Sequence, residues 1–205
     1  MAIVITVAQQ KGGAGKTTLA AHLAAALAAG RRVALLDIDP QRSLTRWHNL
    51  RAKRATQPPE IHLSEVAGWR LAAELDKLKR SHDVVLIDSP PQIDTDARLA
   101  IRSADLVLVP VQPSPPDLWA AEGTLKLALA EKRQAALVLN RTPATSRLRS
   151  AVEAEIARQG FRLCAATLGN RAGFANAFAL GLGVTEAAPK SLAAAELQAL
   201  LAEIT

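Results

Sequence analysis

The sequence predicts an α/β fold: a mostly parallel sheet with helices on both faces, in a single domain spanning residues 1–205. Three observations carry this. Short, almost wholly apolar runs such as Ile3–Val7 and Val84–Asp88 alternate with longer stretches of helical spacing, and strands covered on both faces read as unbroken apolar runs. A glycine-rich segment at residues 11–18 joins the first run to the first helical stretch. The 205 residues, 49% hydrophobic and 21% charged, suit one sizeable core of ordinary globular composition.

The expected strands are Ile3–Val7, Arg32–Ile38, Val84–Asp88, Leu106–Val111 and Ala135–Leu139, with a weaker one near Phe161–Cys164. Each is a short, largely apolar or β-branched run. Helices are expected over Lys16–Ala29, Ser43–Arg54, Trp69–Arg80, Thr95–Ser103, Asp117–Lys132, Ser146–Gln159, Ala172–Leu180 and Ser191–Ile204. Gly30 and Gly160 stand where helices should end, since glycine takes the left-handed turn that closes them. Asp117, after Pro115-Pro116, reads as an N-cap. No internal repeat or low-complexity linker divides the chain.

Composition narrows the function. With one cysteine, Cys164, no internal disulfide can form, which fits a reducing cytosol. No apolar run is long and pure enough to span a bilayer, and with a strand expected from the first residues no basic leader is expected. The net charge of +6 favours an anionic partner such as nucleic acid. A generally basic surface would give the same total, so position along the chain must decide.

Lys11-Gly12-Gly13-Ala14-Gly15-Lys16-Thr17-Thr18 is the most informative segment. It is a phosphate loop closing on Gly15-Lys16-Thr17 in its required strand–loop–helix setting. The glycines let backbone N–H groups turn inward around a phosphate chain, and the helix N-terminus adds positive charge. Lys16 would reach the β- and γ-phosphates and the Thr17 hydroxyl would ligate Mg²⁺. A Gly-rich turn without a ligand leaves two lysines around three glycines unexplained. Lys11 is the unusual member, because an ordinary phosphate loop does not need it.

Two further strand ends add carboxylates. In an open parallel sheet, ligands sit beyond the carboxyl ends of the strands. Leu35-Leu36-Asp37-Ile38-Asp39-Pro40-Gln41 places Asp37 and Asp39 on one side of the second strand. They suit a Mg²⁺ shell and the orientation of an attacking water, against a plain turn role for Asp39 before Pro40. Val84-Val85-Leu86-Ile87-Asp88 closes on Asp88 as a Walker-B strand does, where the Asp serves the metal.

Taken together, these motifs resemble the ParA/MinD family of deviant Walker-type ATPases, a P-loop NTPase-like group. The resemblance rests on residues 11–18, on Asp37-Ile38-Asp39-Pro40-Gln41, on Ile87-Asp88-Ser89-Pro90-Pro91, and on Val109-Pro110-Val111 through Asn140-Arg141. It implies a switch that binds Mg·ATP, dimerises face to face around two nucleotides and hydrolyses ATP slowly. In such a dimer Lys11 crosses to the partner's phosphates, Asp39 positions the water, and Asp37 and Asp88 serve the Mg²⁺ site.

The sequence also separates branches of that family. A MinD-like membrane helix would be basic, whereas Ser191–Ile204 carries only Glu196 and Glu203 and reads as packed on the domain. Iron–sulfur members need more cysteines than Cys164, and kinase members carry a tail of tyrosines that this Tyr-free chain lacks. With Met1 opening the first strand, no room is expected for an N-terminal helix-turn-helix. The short ParA type remains, and Pro113-Ser114-Pro115-Pro116-Asp117 resembles its stiff loop near the nucleotide and dimer contact, with Pro116 an extra proline and an ordinary rigid turn before a helix as the alternative. Gln9 stands where such relatives carry Asn or Ser.

Asn140, Arg141 and Pro143 follow the last clear strand, where the family holds adenine; a solvated loop is the alternative. Arginines gather in the later chain, and Arg147, Arg149 and Arg171 are expected to contact phosphates of non-specific DNA. A second basic group, Arg46, Arg51, Lys53 and Arg54, reads by default as a solvated helix face. The resulting expectation is a cytoplasmic ATPase, nucleoid-associated when ATP-bound. It would work with a small protein that stimulates hydrolysis and would partition or position a cargo. The rivals are a membrane-associated MinD-like ATPase and a metabolic enzyme such as a dethiobiotin-synthetase-like ligase, which would not need Lys11.

Overall fold

The computed structural model describes all residues except Met1, Ala67, Ile93, Thr145 and Ser146, and of Gly68 and Arg147 the backbone only. Six described strands form one parallel sheet: β1 (Ile3–Val7), β2 (Val33–Asp37), β3 (Ile61–Glu65), β4 (Val84–Asp88), β5 (Leu106–Val111) and β6 (Gln134–Leu139), in the order β3-β2-β4-β1-β5-β6. β2, β4 and β5 are buried along their whole length, because helices cover both faces.

The helices are α1 (Lys16–Leu27), α2 (Ser43–Ala52), α3 (Leu71–Ser81), α4 (Thr95–Ser103), α5 (Pro115–Ala130), α6 (Arg147–Arg158), α7 (Ala172–Ala179), α8 (Val184–Ala187) and α9 (Leu192–Ile204). One face of the sheet packs against α1, α2 and α7–α9 around Leu23, Leu35, Trp47 and Leu86. The other packs against α3–α6 in two apolar clusters, around Val109 and Leu125 and around Leu36 and Leu78. Ala193, Leu197, Leu200 and Ile204 of α9 belong to the first core, so this helix packs on the domain as the sequence implied.

Several local expectations are corrected. β3 was hidden by its own chemistry: as the sheet edge it alternates Ile61 and Leu63 with His62 and Ser64, and it follows Pro58-Pro59. The segment near Phe161–Cys164 is not a strand but a single bridge to β6, held by Leu137 N–H to Arg162 O and Cys164 N–H to Leu137 O, both 2.9 Å. Gly160 takes a left-handed φ of 72° after α6, but Gly30 does not adopt one. The N-cap of α5 is Ser114 rather than Asp117; Asp117 occupies the helix's third position and donates its N–H to Ser114 Oγ.

Pro110 lies in the interior strand β5, where a missing N–H would normally cost a ladder bond. Pairing of β5 with β1 stops at Leu108, and the Pro110 carbonyl accepts instead from Gln9 Nε2 at 3.4 Å. Gln9, buried at the end of β1, also accepts from Gln10 N–H at 2.8 Å. The amide therefore fixes the lead-in to the glycine loop.

Candidate nucleotide site

Every βα turn of a parallel sheet opens at the carboxyl edge, so the loops after β1, β2, β4, β5 and β6 meet there. The loop after β1 turns through Gly13 (φ 80°) and Gly15 (φ 90°), conformations that any Cβ would strain. A Cβ on Gly12 or Gly13 would meet nothing within 4 Å, so this backbone borders open space. At Gly15 a Cβ would stand 2.5 Å from Asn140 Nδ2.

Asn140 is drawn in for a reason. Its Nδ2 donates to Ala14 O at 2.8 Å and its Oδ1 accepts from Arg141 N–H at 2.9 Å. The side chain expected at adenine thus first braces the phosphate loop. Arg141 adopts a left-handed φ of 51° and lines both cavities beside the loop.

Lys16 begins α1 and is almost fully buried. Burial lowers its pKa, and the charges of Asp88 and Asp39 oppose that shift. Asp88 is buried at the end of β4, and neither carboxylate oxygen has a hydrogen-bond partner. Burial pushes its pKa up to about 7, against the approaching Thr17 hydroxyl, which makes no well-formed bond to it. An unsatisfied buried carboxylate beside a phosphate-loop Thr is a donor set that suits a divalent cation.

Asp37 differs from its neighbours. Its Oδ2 accepts from Thr45 N–H at 2.9 Å and from the Thr45 hydroxyl at 2.7 Å, and its Oδ1 accepts from Asp39 N–H at 3.2 Å. It therefore ties the first turn of α2 to the Asp39 loop, while Asp88 is the carboxylate with open oxygens. Asp39 folds back on its own loop, where Oδ1 accepts from Gln41 N–H at 2.9 Å. Arg42 closes this turn in a left-handed conformation (φ 54°) and donates to Asp37 O at 2.5 Å.

Lys11 does not point into its own loop. Its ammonium forms an ion pair with Asp117 Oδ2 at 2.6 Å, and the Ser114 hydroxyl donates to the same oxygen at 2.6 Å. The expected stiff loop at residues 113–117 is thus the anchor for the extra lysine.

Two openings flank the glycine loop. One, of about 280 Å³, is lined by Gly13, Lys16, Thr17, Asp39, Pro91 and Phe178 and fits a phosphate chain. The other, of about 330 Å³, is walled by Thr18, His22, Asn140, Asn170, Phe174 and Phe178 and fits a flat apolar group with a polar edge. Pro143 lines neither. Sequence reasoning missed Asn170, Phe174 and Phe178. The available signal was two of the chain's three phenylalanines placed one helical turn apart on α7.

The arginines expected at DNA are differently placed. Arg171 makes a bidentate pair with Glu196, with Nη2 to Oε1 at 2.6 Å and Nε to Oε2 at 2.9 Å, and it borders the larger cavity. Arg149 pairs with Glu153 at 2.7 Å along α6. The Arg147 side chain lies outside the described residues.

A phosphate loop at the end of β1, a bare carboxylate at the end of β4 and an apolar cavity beside them define a P-loop nucleotide-binding domain. Residues 5–184 match the model of the CobQ/CobB/MinD/ParA nucleotide binding domain, and the chain belongs to that family. It is similar to maintenance of carboxysome distribution protein A of Halothiobacillus neapolitanus, with 33% identity over 214 residues covering 99% of this chain and 96% of that protein. It is also similar to the chromosome-partitioning ATPase Soj of Thermus thermophilus, 34% identical over 149 residues, covering 60% of this chain and 59% of Soj. Apo McdA of Cyanothece superposes with a TM-score of 0.83 at 19% identity over the whole of both chains. MinD of Pyrococcus horikoshii, solved with Mg-ADP, superposes with a TM-score of 0.81 at 21% identity, covering 100% of this chain and 96% of MinD. At these identities the structural likeness concerns the fold.

Proposed function

We propose that this protein is an ATP-driven dimerising switch that binds DNA non-specifically and hydrolyses ATP to position a cargo in the cytoplasm. The observation that carries the reading is Lys11: it stands outside its own phosphate cradle, on Asp117, within a site that Lys16, Thr17 and Asp88 already equip for one nucleotide. A lysine with no work in its own site is available to a second subunit.

In the resulting mechanism, loop amides and Lys16 hold the phosphate chain, and the larger cavity takes the base. Thr17 and Asp88 would hold Mg²⁺, which screens charge on the phosphates. Asp39 leaves Gln41 N–H and accepts a hydrogen bond from the attacking water, orienting it in line. Lys11 of the partner subunit adds a second cation where charge develops on the transferring phosphate. A partner protein would accelerate this step and so release the dimer from DNA.

The net charge of +6 supports a DNA partner. The apolar face of α9, buried in the core, speaks against that helix being a membrane anchor. Among the described residues no helix is long and apolar enough to cross a membrane. Light scattering and DNA binding, each with ATP or ADP and Mg²⁺, test the reading. Dimerisation and salt-sensitive DNA binding are expected with ATP alone; equal DNA affinity in both nucleotides would overturn the switch.

A further inference from the structure

α2 presents a surface that the nucleotide reading does not use. Arg46 and Leu50 lie one turn apart on α2, and Lys53 and Arg54 follow directly after its last residue, Ala52. Leu50 is 47% exposed, and Leu180, just after α7, is 53% exposed. The backbone beside the two leucines meets at one seam: Arg54 Nη1 donates to Leu180 O at 2.9 Å, and a Cβ on Gly181 would lie 2.7 Å from the Leu50 carbonyl carbon.

The charge around this seam is one-sided. Residues 40–59 and 171–185 contain no Asp or Glu. Some surface cations elsewhere are paired, as in Arg32–Asp83, Lys77–Glu74, Arg102–Glu131, Lys126–Glu122 and Arg158–Glu155. Among the described residues neither Arg46 nor Lys53 has a carboxylate within 4.0 Å. Arg51, on the inner side of the same helix, is buried and bidentate to Glu186 at 2.7 and 2.8 Å, so it builds the seat without competing for a ligand.

We infer that the α2–α7 seam is a docking surface for an acidic segment of a partner protein that carries leucine-like anchors. Cations flanking two exposed leucines complement carboxylates flanking apolar side chains. DNA fits less well, since leucines offer phosphates nothing. A bilayer fits less well too, because two half-covered leucines are far from the broad apolar face that interfacial helices insert.

The seat also reaches the nucleotide. Trp47 of α2 stacks on Phe178 of α7 with ring centres 6.3 Å apart, and Phe178 lines both openings beside the glycine loop. Docking would therefore bear on turnover; that second step rests on the proposed ATP reading, whereas the binding step does not.

The test uses the full chain and a fluorescein-labelled synthetic peptide of about 16 residues, with leucines and glutamates at helical spacing. A scrambled peptide of equal composition, a 20-base-pair duplex and phosphatidylcholine/phosphatidylglycerol vesicles serve as comparisons. The patterned peptide should bind. Leu50→Ser and Leu180→Ser should each weaken it about tenfold, and Arg46→Glu with Lys53→Glu more. Both leucines are exposed, so thermal melts of these variants should match wild type. Equal binding of the scrambled peptide, or indifference to the leucine substitutions, overturns the proposal. So does loss of duplex or vesicle binding in the leucine variants with peptide binding unchanged. Peptide binding without effect on ATP turnover overturns the link to the nucleotide alone.

Discussion

Lys11 Nζ lies 2.6 Å from Oδ2 of Asp117, joining the glycine loop after β1 to the first turn of α5. The pair is asymmetric: the lysine side chain is 42% exposed and the aspartate 3%. Asp117 is held from its own helix by the Ser114 hydroxyl, and its second oxygen has no partner. Lys11 can therefore leave into solvent or toward another subunit, while Asp117 stays.

Asp117→Asn should make dimerisation easier. Releasing a half-exposed ion pair worth about 1 kcal/mol would lower the ATP concentration for half-maximal dimerisation about fivefold. Lys11→Ala should bind ATP as wild type does and fail to dimerise. Light scattering over an ATP titration separates these outcomes, and normal dimerisation of Lys11→Ala would sink the trans role.

Gly15→Ala places a methyl group against Asn140 Nδ2 and a side chain at φ 90°. Conformational strain of about 1–3 kcal/mol falls on the loop that must cradle phosphates. A tenfold or greater loss of ATP affinity is expected by calorimetry. Adding Asn140→Ala removes the clash but not the strain, so the double variant should recover only part of the loss. Full recovery would show that the left-handed turn is unimportant.

Much of this site was legible in the sequence because its parts are contiguous. Residues 11–18 and the apolar runs ending at Asp37 and Asp88 each declare their local geometry, and parallel pairing carries them to one edge. What was illegible depends on partners distant in sequence. Nothing near Asn140 announces Ala14, 126 residues away, and nothing near Arg171 announces Glu196. Asp37 and Asp39 look equivalent by spacing; only Thr45, eight residues on, sets them apart. β3 escaped because an edge strand half-exposed to water loses the apolar continuity by which the inner strands were found.

Asp39→Ala should trap the ATP-bound dimer. The carboxylate's one described bond is to Gln41 N–H in its own turn, so its loss should cost about 1 kcal/mol of stability. Turnover should fall by two orders of magnitude or more as water orientation is lost. A variant that remains monomeric with ATP would contradict the assignment.

His22 makes stability depend on pH. Its Nε2–H donates to Phe174 O and its Nδ1 accepts from Val184 N–H, both at 3.0 Å, an arrangement open only to the neutral ring. Burial, opposed by the Phe174 carbonyl and Glu186, lowers its pKa from 6.5 to about 4. Between those values the unfolded chain binds more protons than the folded one, so stability falls as pH drops from 6.5 toward 4. The 2.5-unit interval, at about 1.4 kcal/mol per unit, sets the loss near 3 kcal/mol. His22→Gln should be less stable than wild type at pH 7, because a flexible amide replaces a ring packed edge-on against Phe174. It cannot take up the proton, however, so urea unfolding at pH 7.0, 5.5 and 4.5 should show the gap to wild type closing by most of that amount. A gap that stays constant across the series would place the acid sensitivity elsewhere.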